Sequence, residues 1–428
     1  MARTFTAVAR GINTLNINPA NLAPSGEKSF EFNLINFTIT TGSDLIDINL
    51  YNKYFTGDEN GEPVYLNEAD KRKILSMFPA GLAQTGSGID INLVALSFNL
   101  DAVGAFALNV SEKAGVNLLL PKSYLEFILY GNPLNSRYDF SKTYFNALWH
   151  REYSLSYARE IPAPEFLKYL SAGISLKLVH GFGFAEVSHN RTFLTTDADS
   201  KISGKVDYQV KFSGLNLFRD DYSSDYTPFP KPAGTGVGFD IGLQAVVAEE
   251  LTVGLALVDM GKIRWRENTY EHSGYAEFNF DDPKTGQEQL DSLDNIMKGT
   301  NKSISGFNSA LPTILRIGAA YRLDKAPFIT KFPGELLIAL DYNQGFNNIA
   351  GNTTKPRFSL GVEYKPWKWM PIRTGISVGG IQGFNLAFGT GILLSFMDIE
   401  FATENFEAAI SPNSFDRFSF GFGLKIKI

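Results

Sequence analysis

The stretch DRFSFGFGLKIKI, Asp416–Ile428, decides the fold. Phe418, Phe420, Phe422, Leu424, Ile426 and Ile428 fall on one side of it, and Arg417, Ser419, Gly421, Gly423, Lys425 and Lys427 on the other. Successive side chains of a strand point to opposite faces, so this strict alternation predicts a β-strand. At roughly a dozen residues it outruns the usual five or six of soluble sheets. It has the length a tilted strand needs to cross a bilayer.

The pattern recurs along the chain. In VGFDIGLQA, Val237, Phe239, Ile241 and Leu243 alternate with Gly238, Asp240, Gly242 and Gln244. ILRIGAAYRL (314–323), RFSLGVEYK (357–365) and GKVDYQVKF (204–212) repeat it. Further candidates are 29–40, 88–100, 102–110, 151–161, 171–180, 182–195, 251–258, 274–280, 334–343, 371–379, 383–396 and 397–403. A soluble all-β protein also alternates and stands as one reading. The polar faces here carry full charges and glycine, however, while the apolar faces are rich in aromatics near strand ends. That is the arrangement of a transmembrane antiparallel β-barrel, with a lipid-facing band, aromatic girdles and a wet lumen.

Composition permits this and narrows the alternatives. The chain has 428 residues, 13% of them aromatic, with 39 Gly and no Cys. Disulfides and thiolate metal sites are therefore excluded, and the compartment is left open. A net charge of −6 argues against nucleic acid as a partner. No apolar run reaches the length of a transmembrane helix. Mean hydropathy of −0.08 suits a soluble protein and a membrane barrel alike. MARTFTAVAR lacks the apolar stretch of a signal peptide. Either the chain stays in the cytoplasm, or a signal has been removed, and the strands favour the second reading. No linker or composition shift divides the chain, which reads as one barrel domain.

Short helices are expected in loops or lumen at 67–78, 121–132 and 287–299, from their caps and apolar spacing. Long polar stretches at 52–66, 132–145, 213–236 and 264–310 are expected as outer loops. Chemistry-bearing motifs do not hold up. The glycines of GTGVGF (234–239) run into a strand, where a phosphate loop requires a helix. GDENGE (57–62) would need an acid at position 69, which is Ala, to serve as an EF-hand. It reads as a turn about Asn60-Gly61, with a surface calcium left open. His150, His180, His189 and His272 form no metal-type pair and no nucleophile motif, so we expect neither an enzyme nor a bound cofactor or metal. Trp367 and Trp369 in PWKW, beside Lys365 and Lys368, read as membrane-interface anchors. Arg316, Arg322, Arg357, Arg373 and Arg417 fall on polar faces, as do Asp240, Asp341, Glu363 and Asp207. These are the expected lumen charges. Paired, they knit the wall to a plug; unpaired, they line a path for a polar headgroup.

ARTFTAVARGINTLNINPANLA (2–23), with Asn18-Pro19-Ala20 at its heart, resembles the N-terminus of FadL-type outer-membrane proteins. These include the PorV-like branch common in Bacteroidetes and Chlorobi. GFDIGL, LTVGLALVDMG, LPTILRIGAAYRL, RFSLGVEYKP, PIRTGISVGG and FGTGILLSFMDIEFA resemble the family's serial strands. The resemblance implies a bacterial outer-membrane barrel of about 14 strands, with 1–28 as an inward-folded hatch and 29–428 as the barrel. It implies passage or binding of hydrophobic or amphipathic compounds through a hatch-gated lumen, with a lateral exit in the wall. For the PorV-like branch it implies instead a protein partner in type IX secretion or surface attachment. Outer-membrane lipid surrounds the barrel in either case. The terminal Ile428 departs from the Phe that ends many such barrels. The residues of NINPANLAP fit a hatch. Pro19 and Pro24 cannot join a ladder, and Asn16, Asn18 and Asn21 carry amides that could pin the segment, with Ala20, to the lumen.

Overall fold

The structure is a computed structural model. It describes residues 1–23, 30–43, 52–54, 56–57, 65–76, 78, 81–100, 103–214, 230–280, 298–381, 383–410 and 417–428. Alternating segments become strands throughout: β1 Phe30–Ser43, β2 Leu82–Leu100, β3 Gly104–Pro121, β4 Ser136–Asp139, β5 Tyr144–Glu160, β6 Tyr169–Asn190, β7 Phe193–Thr196, β8 Ile202–Ser213, β9 Gly234–Val246 and β10 Leu251–Trp265. They continue as β11 Tyr270–Phe280, β12 Thr300–Ser303, β13 Phe307–Ala310, β14 Ile314–Arg322, β15 Glu335–Gly345, β16 Arg357–Trp367, β17 Met370–Gly379, β18 Asn385–Leu393, β19 Met397–Thr403 and β20 Arg417–Lys427.

Fourteen of these close a ring of antiparallel neighbours. The order is β1-β2-β3-β5-β6-β9-β10-β14-β15-β16-β17-β18-β19-β20, and β20 pairs back with β1. Closure leaves no unpaired edge, a condition any sheet in hydrocarbon must meet. The faces sort by charge. Phe418 is 46% exposed and Phe239 44%, both on the outside, while Ser419 and Asp240 beside them are buried on the inside. No described helix is long and apolar enough to cross a membrane.

Two expected wall strands lie outside the ring. GKVDYQVKF is in β8, and 274–280 is in β11. The two pair with each other, and β7, β4 and β12 extend them into a small sheet beyond the barrel. The cause is β6, which runs unbroken through the expected 171–180 and on into 182–195, ending at Asn190 before β7 takes up Phe193–Thr196. Its first part, Tyr169–Gly181, pairs with β9, and its later part, Phe184–Asn190, rises past the ring to pair with β8. Alternation reports two faces but not the partner, so these strands read the same as wall strands. Asp207 therefore belongs to the outer sheet, where it meets His189 at 3.0 Å, and not to the lumen.

Long connections gather at one end of the ring and short turns at the other. The helix Glu68–Leu75, capped by Asn67, lies at the long-loop end, as does the helix Ser123–Tyr130. They meet through Ile74, Leu125 and Leu129. Both fall within the expected 67–78 and 121–132, whereas nearly all of 287–299 lies outside the described residues. So do Pro24 and most of GDENGE.

Candidate functional site

Residues 1–23 run inside the ring. Their anchor is a single 3₁₀ turn, Pro19–Leu22. Pro19 opens it with a fixed φ and no N–H to satisfy, and the Asn18 side chain caps it by accepting from the Ala20 N–H at 3.1 Å. The Asn18 amide donates to the carbonyls of Thr6 (3.2 Å) and of Leu243 on β9 (3.1 Å). Asn21 donates to the same Thr6 carbonyl at 3.0 Å. Two buried amides thus close residues 6–21 into a compact knot. The wall grips it elsewhere too. The Ser171 hydroxyl donates to the Ala20 carbonyl at 3.0 Å, and Lys177 to the Asn16 side chain at 3.0 Å. The Thr6 N–H and hydroxyl donate to one Asp341 oxygen at 3.1 and 2.6 Å. The Ile12 N–H donates to Glu31 at 2.7 Å, and Arg3 pairs with Glu404.

Wall glycines make this approach possible. A Cβ at Gly173 would lie 2.4 Å from the Pro19 carbonyl carbon, and one at Gly242 would lie 2.0 Å from the Asn18 side-chain oxygen. Gly173 and Gly242 are register partners on β6 and β9. On the next strands Gly254 and Gly318, also partners, come within 2.5 and 2.7 Å of Thr6 by the same measure. The wall lacks side chains where the segment's backbone rests against it.

Above the segment lies a layer of buried charge. Lys177 pairs with Asp259, stands 3.0 Å from Asp240 and is 3.6 Å from Glu152. Glu152 also takes Lys113 at 3.0 Å and His150 at 3.1 Å. Of this layer the sequence singled out Asp240 as a lumen charge and His150 only as a histidine without a metal-type partner. Lys177 was detectable: in ISLKLVHG it occupies the face opposite Ile174, Leu176 and Leu178.

The remaining expected lumen charges do not form one cluster. Arg373 bridges Glu363 and Glu400, both at 2.5 Å. Arg316 donates to Asn343 at 3.0 Å, and Arg357, on the inner face of β16, lies beside Gly380. Arg322 sits at the short-turn end, bidentate to Asp324 at 2.9 and 2.7 Å. That guanidinium holds the Asp324 carboxyl, in the turn after β14, below its ordinary range. Arg417 sits at the opposite end, donating to the Phe384 carbonyl at 2.8 Å. Trp367 and Trp369 are exposed at a short turn, stacked with ring centres 5.9 Å apart.

The long-loop end is closed by an apolar layer. Trp265, Phe184, Ile263, Val179 and Leu311 are fully buried there, with Ile349 and Ala350 of the β15–β16 connection folded against them. Asn117 secures that connection through the Ile349 and Asn352 carbonyls at 3.2 and 2.9 Å, and Asn146 accepts from the Ala350 N–H at 2.8 Å. Near β1 and β2 the filling stops. Thr38 and Asp90, register partners pointing inward, stay exposed. Every wall strand pairs with both neighbours, with register shifts between Asn92 and Val94 on β2 and between Leu257 and Met260 on β10.

A closed antiparallel ring with an apolar exterior, a charged lumen and a segment of its own chain seated inside defines a membrane β-barrel. Residues 19–403 match the model of a family described as a family of unknown function, DUF5723, and the chain belongs to that family. Among solved structures it is similar to the toluene transporter TbuX of Ralstonia pickettii, at 12% identity and TM-score 0.48 over 98% of this chain and 94% of that one. It is also similar to the toluene transporter TodX of Pseudomonas putida (12%, TM-score 0.43, 97% and 92%). A Pseudomonas aeruginosa FadL homologue is a third (12%, TM-score 0.40, 98% and 94%). No curated protein matches.

Proposed function

We propose that the protein is an outer-membrane channel in which residues 1–23 act as a hatch, and that it binds or passes amphipathic compounds. The observation that carries this reading is how the segment is held. Beside two small apolar clusters, where Ala7 meets Ala320 and Ala339 and Leu22 meets Ala105 and Ala158, it is held by hydrogen bonds and ion pairs to wall side chains and carbonyls, each worth about 0.5–3 kcal/mol net; none is a ladder bond, so it can be released without breaking the ring. The layers along the axis suit a molecule with an apolar body and a polar head: the Trp265 layer near the long loops, then Lys113 and Lys177. The exposed inner faces of Thr38 and Asp90 supply a polar lane beside the segment.

The test is uptake of a fluorescent long-chain carboxylate into lipid vesicles holding the purified barrel. We expect saturable uptake above protein-free vesicles, faster in the Asn18→Ala variant. Uptake that neither saturates nor responds to Asn18→Ala would refute the reading. A second reading, a docking component for a protein partner of the kind PorV-like barrels have, draws on the outer sheet. β12 lies along one side of that sheet with all four of its residues exposed. The same purification tests it: a chain that co-purifies through β12 and is lost with Asn301→Pro would favour that reading.

A further inference from the structure

The outside of the wall is not evenly convex. Across β9, β10, β14, β15, β16 and β17 it carries an open concavity of about 880 Å³. The rim and walls are outward residues such as Leu243, Leu255, Ile317, Leu340 and Phe358. These stay between 43% and 57% exposed, although each is a large hydrophobic side chain. Tyr342 brings a phenol, but its hydroxyl is spent on Gln344 at 3.0 Å.

The floor explains the shape. It is one register row, Gln244–Gly254–Gly318–Asp341, running strand to strand. The inward sides of that row hold Thr6 and Ala7, Asp341 by hydrogen bonds and Gly254 and Gly318 by bare backbone contact, while the Gln244 amide oxygen accepts from Arg10. Where the chain's own segment presses against glycine, the sheet can stand closer to it than side chains would allow. We attribute the outer hollow to the sheet leaning inward along this row. Apolar side chains around a hollow forfeit dispersion contacts unless something fills it.

We infer that this saddle is a binding site for an acyl chain of a membrane lipid. The occupant follows from the location. The saddle lies in the apolar outer band of the ring, where the neighbouring molecules are lipid chains and no water competes. Its volume falls within the roughly 300–1,000 Å³ of small-molecule sites. Its polar lining residues, Gln244, Asp341, Ser359 and Ser377, are on the inward face of their strands, and the outward side chains are apolar apart from Tyr342, so a hydrocarbon chain is what it takes. A chain lying there packs against the wall at the row that seats Thr6. This inference stands on the outer face alone and does not depend on the hatch opening.

The test uses the whole protein in nanodiscs of phosphatidylcholine carrying a diazirine within the acyl chain. After photolysis, label should be recovered on peptides containing Leu255, Ile317 and Leu340 several-fold above peptides containing Ile39 or Phe418. Those two are comparably exposed outward residues on β1 and β20. Ala319→Trp, which fills the saddle from an outward position, should remove the excess and leave labelling at Phe418 unchanged. If that variant fails to fold, Ala245→Trp on β9 makes the same comparison. Even labelling around the ring, or an excess that survives the tryptophan, overturns the inference.

Discussion

Asn18→Ala tests how firmly the N-terminal segment is seated. The side chain is fully buried and makes three hydrogen bonds, two as donor and one as helical-turn cap. Losing an Asn cap costs about 0.5–2 kcal/mol, and each donor bond contributes about 0.5–1.5 kcal/mol. The Thr6 carbonyl keeps its bond from Asn21, which trims the loss. The net is about 2–4 kcal/mol against the seated state, or about 30- to 1,000-fold in the unseated-to-seated ratio. The ring's own ladder is untouched, since only one wall carbonyl loses a second partner. The chain has no Cys, so a single Ala9→Cys, at a position 5% exposed, reports seating through its rate of thiol labelling in intact vesicles. We expect Asn18→Ala to raise that rate by a factor in the stated range, with the heat-modifiable mobility of a folded barrel retained. An unchanged labelling rate would refute the assignment of Asn18 as the pin.

Gly173→Ala should unseat the segment from the wall side, because its Cβ would sit 2.5 Å from the Ala20 nitrogen; Gly421→Ala, with nothing nearer than 3.6 Å, should not, and Ala9→Cys labelling compares them. Lys177→Met takes the cation 3.0 Å from Asp240 away and leaves Asp259 and Glu152 to Lys113, at 3.9 and 3.0 Å, and should lower barrel stability by about 3 kcal/mol in urea unfolding; an unchanged midpoint would show that the layer is neutral for stability. Trp367 and Trp369 should be quenched most strongly by lipids brominated near the headgroup, and Trp367→Phe with Trp369→Phe should abolish that shallow quenching; a maximum at mid-bilayer depth contradicts their role as interface anchors. Asp324 has its folded pKa depressed by Arg322, so it stabilises above its unfolded pKa of about 3.9 and loses that contribution as pH falls through the folded value. Asp324→Asn should therefore cost about 1 kcal/mol at neutral pH and nothing in strong acid, as read by unfolding midpoints; equal cost at both would disprove the pairing.

The alternation in Phe418–Ile428 carried the class of fold, because a two-residue period with one face apolar admits few arrangements once its length exceeds that of soluble strands. It also assigned the faces: Asp240, Asp341, Glu363 and Arg373 point inward because their neighbours along the strand must meet lipid. The knot at Asn18–Pro19 was legible too, since prolines cannot join a ladder and buried amides need partners. Local chemistry sufficed for all of these.

Partnership across the ring was not legible. That β6 deserts β9 for β8, carrying Asp207 out of the lumen, depends on where one strand leaves the wall. That Lys177 of β6 finds Asp240 of β9, Asp259 of β10 and Glu152 of β5 depends on curvature that brings distant segments to one height. The glycines at 173, 242, 254 and 318 look in the sequence like any strand glycine. Only the closed ring, by pressing the N-terminal segment against them, turns missing side chains into a seat on one side of the wall and a hollow on the other.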